Sequence, residues 1–556
     1  TVIHPLSEID VTAAAEQLVA DGIEAIAICF LNSYRNAAHE KKAEALINAR
    51  LPDLPVTASY AVLPEMKEYE RTSTTVVNAY LLTAMRGYLR KLEGRLAEVG
   101  IVAPILVMTS NGGMLAARAA RDLPVMVVAS GPAGGVIGAA GLGRARGDRD
   151  VIVFDMGGTT AKAVIIEDGR PSMTSEYEFR DGMSTSSRFI KAGGYMLKVP
   201  AIDIAEVGAG GGSLAGIDAG GLLKVGPESA GAAPGPACYG LGNTRPTVTD
   251  ANVVLGILNP NALAGGRLTI NRGLAERAIK EHVATPLSLS VEEAAHGIRA
   301  VANAAMARAI RAGVPDLTLM AFGGNGGIHS VDVARQLGVR TIIIPPLAGV
   351  FSAVGMLAAD IEHTALVTVM RLLDDLSAQD LYAIMARLGA EVASRLAADG
   401  YGADRTELVW QAELRHEGQA TELPVPFDAD GDVLAQISER FVEEYLKTYG
   451  YRDQTPLELV KVTVTGRGLR ESRLDFKAMK IEPRTGAARA GYRLVSFSRG
   501  VPAVETAIVS RAAIGAAERS GPLIIEEFDA TIVVPPDATI SRDGMGNLVL
   551  KIEGSA

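Results

Sequence analysis

Four short runs, Pro104–Met108, Val125–Val128, Val151–Phe154 and Leu317–Phe322, are mostly aliphatic or β-branched, and each runs into glycine-rich sequence. Apolar runs of this length, bounded by loop residues, predict buried strands whose loop ends carry a site. Glycines cluster at 112–113, 131–135, 157–158, 208–212, 226–235 and 323–327. A single cluster reads as a tight turn; so many within one stretch favour backbone that approaches a ligand. Helical spacing occupies the intervals. Val11–Asp21 and Ala38–Ala49 flank the strand-like Ile23–Phe30, and Arg71–Val99 runs to Gly100. Ser290 with Glu293 makes a capping box that opens a helix over Val291–Ala312, stopped by Gly313. After Glu362 the texture changes. Amphipathic helices near Ser377–Asp399 and Gly431–Tyr449 alternate with β-rich Val460–Val464, Pro522–Ile524 and Leu548–Ile552, which predicts a domain boundary at 360–375.

Composition narrows the class. At about 150 residues per domain, 556 residues predict three or four domains. Apolar residues at 48% and charged residues at 21% exclude disordered, collagen-like and fibrous chains. A net charge of −10 lacks the basic surplus that displaces counterions, so no nucleic-acid partner is expected. The longest charge-free runs, Leu123–Gly143 and Thr341–Ala359, carry glycines or a proline pair. Those residues cost a helix interior roughly 0.5–1 and about 3 kcal/mol each, so buried strand–loop–helix segments are expected rather than membrane spans. Cys29 and Cys238 have no zinc spacing and fit a reduced, cytoplasmic protein. The histidines are scattered, without an HExxH pattern.

The sharpest chemistry lies in Val151-Ile-Val-Phe-Asp155-Met-Gly157-Gly158-Thr159-Thr160. A strand delivers a carboxylate; two glycines then let backbone N–H groups approach an anion, and two hydroxyls follow. Ala161–Ile166 reads as a return strand, so this is a hairpin, not a strand-to-helix P-loop. Asp155 at the strand end can hold Mg²⁺ directly or through water. An ordinary β-turn is the plainer alternative. In a second element, Leu319–Phe322 breaks into Gly323, Gly324, Asn325, Gly326 and Gly327, with a helix expected from Ser330. Its spacing is wrong for a dinucleotide fingerprint. His329 is either a packing residue or a ligand. The third element is Gly208–Ser213, containing Gly210, Gly211 and Gly212, followed by the Gly/Pro-rich 226–239. Thr249 or Asp250 could cap a helix; alternatively Asp250 holds a metal-bound water. Cys238 has no nearby histidine and reads as structural. Glu65–Glu70 with Arg71 reads as solvated surface.

Taken together, RTSTTVVNAYL (71–81), MTSNGGM (108–114), SGPAGGVIGAA (130–140), FDMGGTTAK (154–162), EVGAGGGSLAGID (206–218), VGPESAGAAPGPACYG (225–240), PTVTDANVVLG (246–256) and AFGGNGGIHS (321–330) resemble the hydantoinase A/oxoprolinase family. The likeness continues through PPLAGVFSAVGM (345–356), LRHEGQATELPVP (414–426), YGYRD (449–453) and GPLIIEEFDATIVVPP (521–536). It implies an α/β chain of the actin/Hsp70/sugar-kinase type, with RNase-H-like lobes closing on ATP and an added α+β C-terminal domain. The implied division is 1–145 for the remainder of the first lobe, 146–365 for the second lobe, and 366–556 for the C-terminal domain. Asp155–Thr160 then corresponds to the family's second phosphate hairpin, 323–327 to the adenosine side, and Gly208–Ser213 to another nucleotide- or substrate-facing loop. The first hairpin has no counterpart here. The expectation is a truncated first lobe, left either by an incomplete chain or by a second polypeptide that supplies the missing half. Many relatives carry aspartate where this chain has Lys162. The acidic role is therefore not carried over, and Lys162 is either a phosphate- or substrate-contacting ammonium or a surface lysine.

The resemblance further implies ATP with Mg²⁺ (or Mn²⁺), and Asp155 and Asp250 as catalytic candidates. It also implies a hydantoinase B-type partner subunit and a small cyclic amide or ketone as substrate. The first expected function is ATP-dependent ring opening of a cyclic amide. ATP-dependent ketone carboxylation is the alternative, and a non-catalytic nucleotide-binding module a third.

Overall fold

The computed structural model describes residues 4–180, 183–186, 194–260, 268–310, 317–471, 474–479 and 491–553. Its centre is a sheet in the order Ala205–Val207, Ala161–Glu167, Val151–Met156, Thr318–Phe322, Thr341–Ile344, Leu548–Ile552, Ala538–Arg542, Arg519–Ser520. The three inner strands beginning at Val151, Thr318 and Thr341 run parallel. Nearly every residue in them is buried, as in parallel strands with helices on both faces. Antiparallel strands flank them: Ala161–Glu167 on one side and Leu548–Ile552 on the other. Residues 538–552 therefore return to the sheet that contains Val151–Met156, although four strands of another, six-stranded sheet, between Ile361 and Gly468, lie between them in sequence.

That six-stranded sheet runs Leu423–Phe427, Thr406–His416, Leu457–Gly468, Ile361–Leu372, Met114–Ala116, Leu106–Met108. Helices Ala378–Ala398 and Val433–Tyr449 pack on it, each opened by a side-chain cap, Ser377 and Asp432. At the N-terminal end, parallel strands Ile26–Ile28 and Val56–Ala58 pair between helices Glu8–Ala20 and Ala38–Arg50. Ala15, Ile26, Ile47 and Val56 form a separate small core there. The long helix Glu68–Glu98 follows. The Ser290–Glu293 capping box forms as expected, and its helix is described over Val291–Ile310; the expected end at Ala312–Gly313 lies outside the described residues.

Three expectations need correction. Val125–Val128 is not a strand: Pro124 starts a 3₁₀ turn, Pro124–Val127, where its fixed φ suits the first helical position. The 131–135 glycines then lie inside helix Ser130–Arg146, not in a ligand loop. They make a helix seam: a Cβ at Gly134 would stand 2.5 Å from the Ser352 carbonyl, and one at Gly138 2.9 Å from Gly355 Cα. The Glu65–Arg71 segment, read as solvated, is buried at its two ends and half-buried over most of its middle, with Tyr69 exposed. Arg71 is fully buried beneath Ser33, Ser59 and the Phe30 carbonyl, and Glu65 is nearly so.

Candidate functional site

Three glycine loops meet at one end of the central sheet, because strand pairing delivers them there. Asp155 is in register with Phe322 on one side and Lys162 on the other, and Lys162 with Glu206 beyond. The loops at 157–160, 208–212 and 323–325 consequently leave adjacent strands at the same edge, the last entering helix Gly326–Leu337 four residues before the expected Ser330. Each glycine has a distinct task. A Cβ at Gly210 would stand 2.5 Å from the Thr159 carbonyl carbon, so this residue lets the second loop lie directly on the hairpin. The Gly211 and Gly212 amides donate to the carbonyls of Gly157 (3.2 Å) and Gly158 (2.5 Å). Gly323 adopts a positive φ of 80°, and a Cβ on it would stand 2.5 Å from Asp155 Oδ1. Gly327 instead serves packing, since a Cβ there would press on the Thr531 carbonyl.

The hairpin itself is different. Cβ atoms at Gly157 and Gly158 would meet almost nothing: Thr160 O at 3.9 Å for the first, open space for the second. The Gly157 N–H closes the turn on the Thr160 carbonyl (3.1 Å). Among the described residues, the N–H groups of Gly158, Thr159 and Thr160 have no acceptor, and Gly158 and Thr159 are exposed. Meanwhile the carbonyls of Gly157 and Gly158 are turned inward and occupied. Open donors with their carbonyls turned away make an anion-binding concavity.

Asp155 stands beside this concavity. Burial pushes its carboxyl up, and Lys162 partly offsets that effect. Lys162 Nζ donates to Thr160 Oγ1 (2.9 Å) and lies 3.4 Å from Glu206 Oε1. Lys162 is therefore no loose surface lysine. Asn325, quoted in the sequence motif without a role, ties the third loop to the hairpin: its N–H donates to Met156 O (3.0 Å) and its Nδ2 to Gly157 O (3.0 Å). Glu206 and Asn325 are the residues that sequence reading left unassigned; only the strand register reveals them.

The remaining candidates have structural tasks. Asp250 is fully buried, and its carboxylate accepts from the amides of Ala237 (3.1 Å), Cys238 (2.7 Å) and Thr247 (2.8 Å) and from Thr247 Oγ1 (2.7 Å). It caps helix Val248–Val254 and clamps the 236–239 loop to it. Burial, with Asp250 alongside, pushes the Cys238 thiol far up, consistent with a packing residue. His329 is wholly buried: Nδ1 donates to Asn303 Oδ1 (2.6 Å) and Nε2 accepts from Asn252 Nδ2 (3.1 Å). Burial and then Arg299 hold it far below its ordinary value, so it is a neutral network member.

A second polar region lies away from these loops, in a cleft of about 2340 Å³ lined by N-terminal, middle and C-terminal segments. Charges alternate along it. Lys461 lies between Glu413 and Glu65, at 2.9 Å from each, and Lys198 is 2.7 Å from Glu65 and 3.6 Å from Glu176. Lys67 is 3.6 Å from Glu176 and 3.5 Å from Glu422. Burial pushes Glu65 up, but Lys461 and Lys198 outweigh it and hold the carboxyl below its ordinary range.

Among the described residues, no group of three or more His, Cys, Asp or Glu could hold a metal by itself, and no helix is long and apolar enough to cross a membrane. A single carboxylate beside an anion site does suit Mg²⁺, which binds through one or two carboxylates plus phosphate oxygens and water.

Comparison with known proteins finds similarity along nearly the whole chain. The family model described as Hydantoinase/oxoprolinase matches residues 71–365, and that of the Hydantoinase/oxoprolinase N-terminal region matches 1–51. Caprolactamase subunit alpha of Pseudomonas jessenii is 34% identical over 97% of this chain and 78% of its own length. Acetone carboxylase beta subunit of Xanthobacter autotrophicus is 30% identical over 98% and 78%. The crystal structure of ATP-dependent caprolactamase from Pseudomonas jessenii superposes with a TM-score of 0.83 at 33% identity, covering 100% of this chain and 80% of that one.

Proposed function

The chain belongs to the hydantoinase/oxoprolinase family, and from that premise we propose that it is the ATP-handling subunit of a cyclic-amide hydrolase. The observation that carries this reading is the set of open N–H donors at Gly158, Thr159 and Thr160, beside Asp155 and roofed by Gly210–Gly212. Charge-assisted hydrogen bonds from such donors contribute roughly 1.5–3 kcal/mol each, enough for a few of them to fix a polyphosphate. In this reading Gly157, Gly158, Thr159 and Thr160 take the phosphates, and Gly323–Gly324 flank the nucleotide. Asp155 holds the Mg²⁺ or Mn²⁺ ion. When bound, that ion neutralises charge on the phosphates. The lobes are RNase-H-like and close on the nucleotide.

The reaction that fits is transfer of the γ-phosphoryl to the amide oxygen of a small ring. Water then adds to the activated carbon, the C–N bond breaks to open the ring and release the amine, and a second water hydrolyses the resulting acyl phosphate to carboxylate and phosphate. Such transfer depends on positioning and charge stabilisation, which preformed donors supply. Asp250 takes no part in this scheme, because its lone pairs are committed to the helix cap and loop. The relative named above is a subunit, and this chain is proposed to act with a second, hydantoinase B-type subunit. A second reading, ATP-dependent ketone carboxylation, is favoured by the acetone carboxylase relative.

The test is phosphate release by the reconstituted two-subunit enzyme, given ATP with lactams, hydantoins or 5-oxoproline, and separately a ketone with bicarbonate. Lactam-dependent release supports the hydrolase. Bicarbonate-dependent turnover of a ketone moves the assignment to the carboxylase, and ATP binding without substrate-dependent ADP leaves only a nucleotide-binding module.

A further inference from the structure

We infer that Lys162 is a resident cation of the phosphate site, held in reserve by Glu206 and Thr160, and that it lowers the dependence of nucleotide binding on divalent metal. The inference rests on the phosphate-site reading above and adds a role for this side chain. Three observations carry it. First, strand register places Asp155, Lys162 and Glu206 in a row across three neighbouring strands, so Lys162 has an acidic residue opposite it on each neighbouring strand. Second, Thr160 joins the ammonium to the anion concavity. Its hydroxyl accepts from Lys162 Nζ at 2.9 Å, while its backbone N–H belongs to the open donor set. An anion seated on those donors has the ammonium as its neighbour.

Third, the ammonium is under-used. It carries three N–H donors. Among the described residues Thr160 Oγ1 takes one, and Glu206 stands at 3.4 Å as an ion-pair partner without hydrogen-bond geometry. The Lys162 side chain is 26% exposed and that of Glu206 10%, so the pair sits at the mouth of the site and not in the core. A lysine with only a structural task is held more tightly, as Lys461 is by its two carboxylates. Moving the ammonium from its ion pair with Glu206 to a phosphate oxygen exchanges one anion for another without desolvating it afresh. The same positive charge beside Asp155 also weakens that carboxylate's hold on a divalent ion. Positive charge at the phosphates is therefore shared between lysine and metal.

The experiment measures ADP binding by titration calorimetry in excess Mg²⁺ and in EDTA, using the full chain. Wild-type protein is expected to bind ADP in both media, losing about tenfold or less on metal removal. Lys162→Met is expected to bind within a few-fold of wild type in Mg²⁺ but to lose about a hundredfold in EDTA, while Lys162→Arg restores metal-free binding. Glu206→Gln, which releases the ammonium, is expected to strengthen binding in EDTA. Melting temperatures in each medium verify that the variants are folded. If Lys162→Met shows the wild-type ratio of Mg²⁺ to EDTA affinities, or if wild type binds only with metal, the inference is overturned while the phosphate site stands. Wild-type protein that binds no ADP in either medium overturns both.

Discussion

The hairpin loops and the cleft ion chain are both polar, both assembled from distant segments, and organised in opposite ways. In the cleft, Lys461, Lys198 and Lys67 each sit between two carboxylates, in a low-dielectric setting where an unpaired charge is costly. At the hairpin, the amides of Gly158, Thr159 and Thr160 have no acceptor, and glycine Cβ positions face open space. A polar cluster whose partners are all inside the chain stabilises an arrangement. One that leaves donors open and keeps room before them is organised for something from outside. The difference separates architecture from chemistry better than charge or burial alone.

The largest way to break that comparison is Lys461→Met. Glu65 and Glu413 would remain buried beside each other, and the expected loss is about 3–5 kcal/mol in urea unfolding, with ADP affinity of the surviving folded protein unchanged. Acid acts on the same chain. The folded Glu65 carboxyl titrates below its ordinary 4.5, so its stabilisation is present above that value and is lost as pH falls through the folded value. An acid-unfolding curve checks this.

Asp155→Asn tests the other region. ATP turnover by the two-subunit enzyme is expected to fall about a hundred- to a thousandfold, by analogy with removal of one electrostatic stabiliser. Stability should move the opposite way. Burial raises the folded Asp155 above its ordinary 3.8, so the folded state binds more protons and stability falls as pH rises through that window. The amide of the Asp155→Asn variant does not titrate there and gives no such slope, so the variant is expected to melt higher at neutral pH. Gly158→Ala places a methyl where only a ligand would meet it: an unchanged melting temperature and about a tenfold loss of ADP affinity are expected. Smallest is Gly324→Ala, exposed with its nearest neighbour at 3.6 Å, where the stability change is expected within about 0.5 kcal/mol.

Local patterns were legible where their causes are local. The strand–Asp155–Gly157–Gly158–strand hairpin and the Ser290–Glu293 cap can be read from neighbours a few positions apart. The Gly134 and Gly138 cluster misleads because glycine permits close approach of a helix as readily as of a ligand. What distinguishes the two is Gly355, far along the chain. Glu65 reads as solvated because its partner Lys461 lies on strand Leu457–Gly468, almost four hundred positions away, and Asp250 reads as either cap or metal site because both use the same residue type. Lys162 was visible as a departure; its neighbour Glu206 emerges only once three strands are laid side by side.

The late strand Leu548–Ile552 pairs onto Thr341–Ile344, itself two places from the Val151–Met156 strand that carries Asp155, and Ala538–Arg542 pairs outside it. This clasp closes a loop from Ile344 to Leu548 that takes in four strands of the six-stranded sheet, so it depends on contacts far apart in sequence. Until it closes, the central sheet has an unpaired edge at Thr341–Ile344. Proteolytic cleavage near residue 537 would loosen that edge, so damage there is felt in the central sheet rather than shed as a detachable appendix.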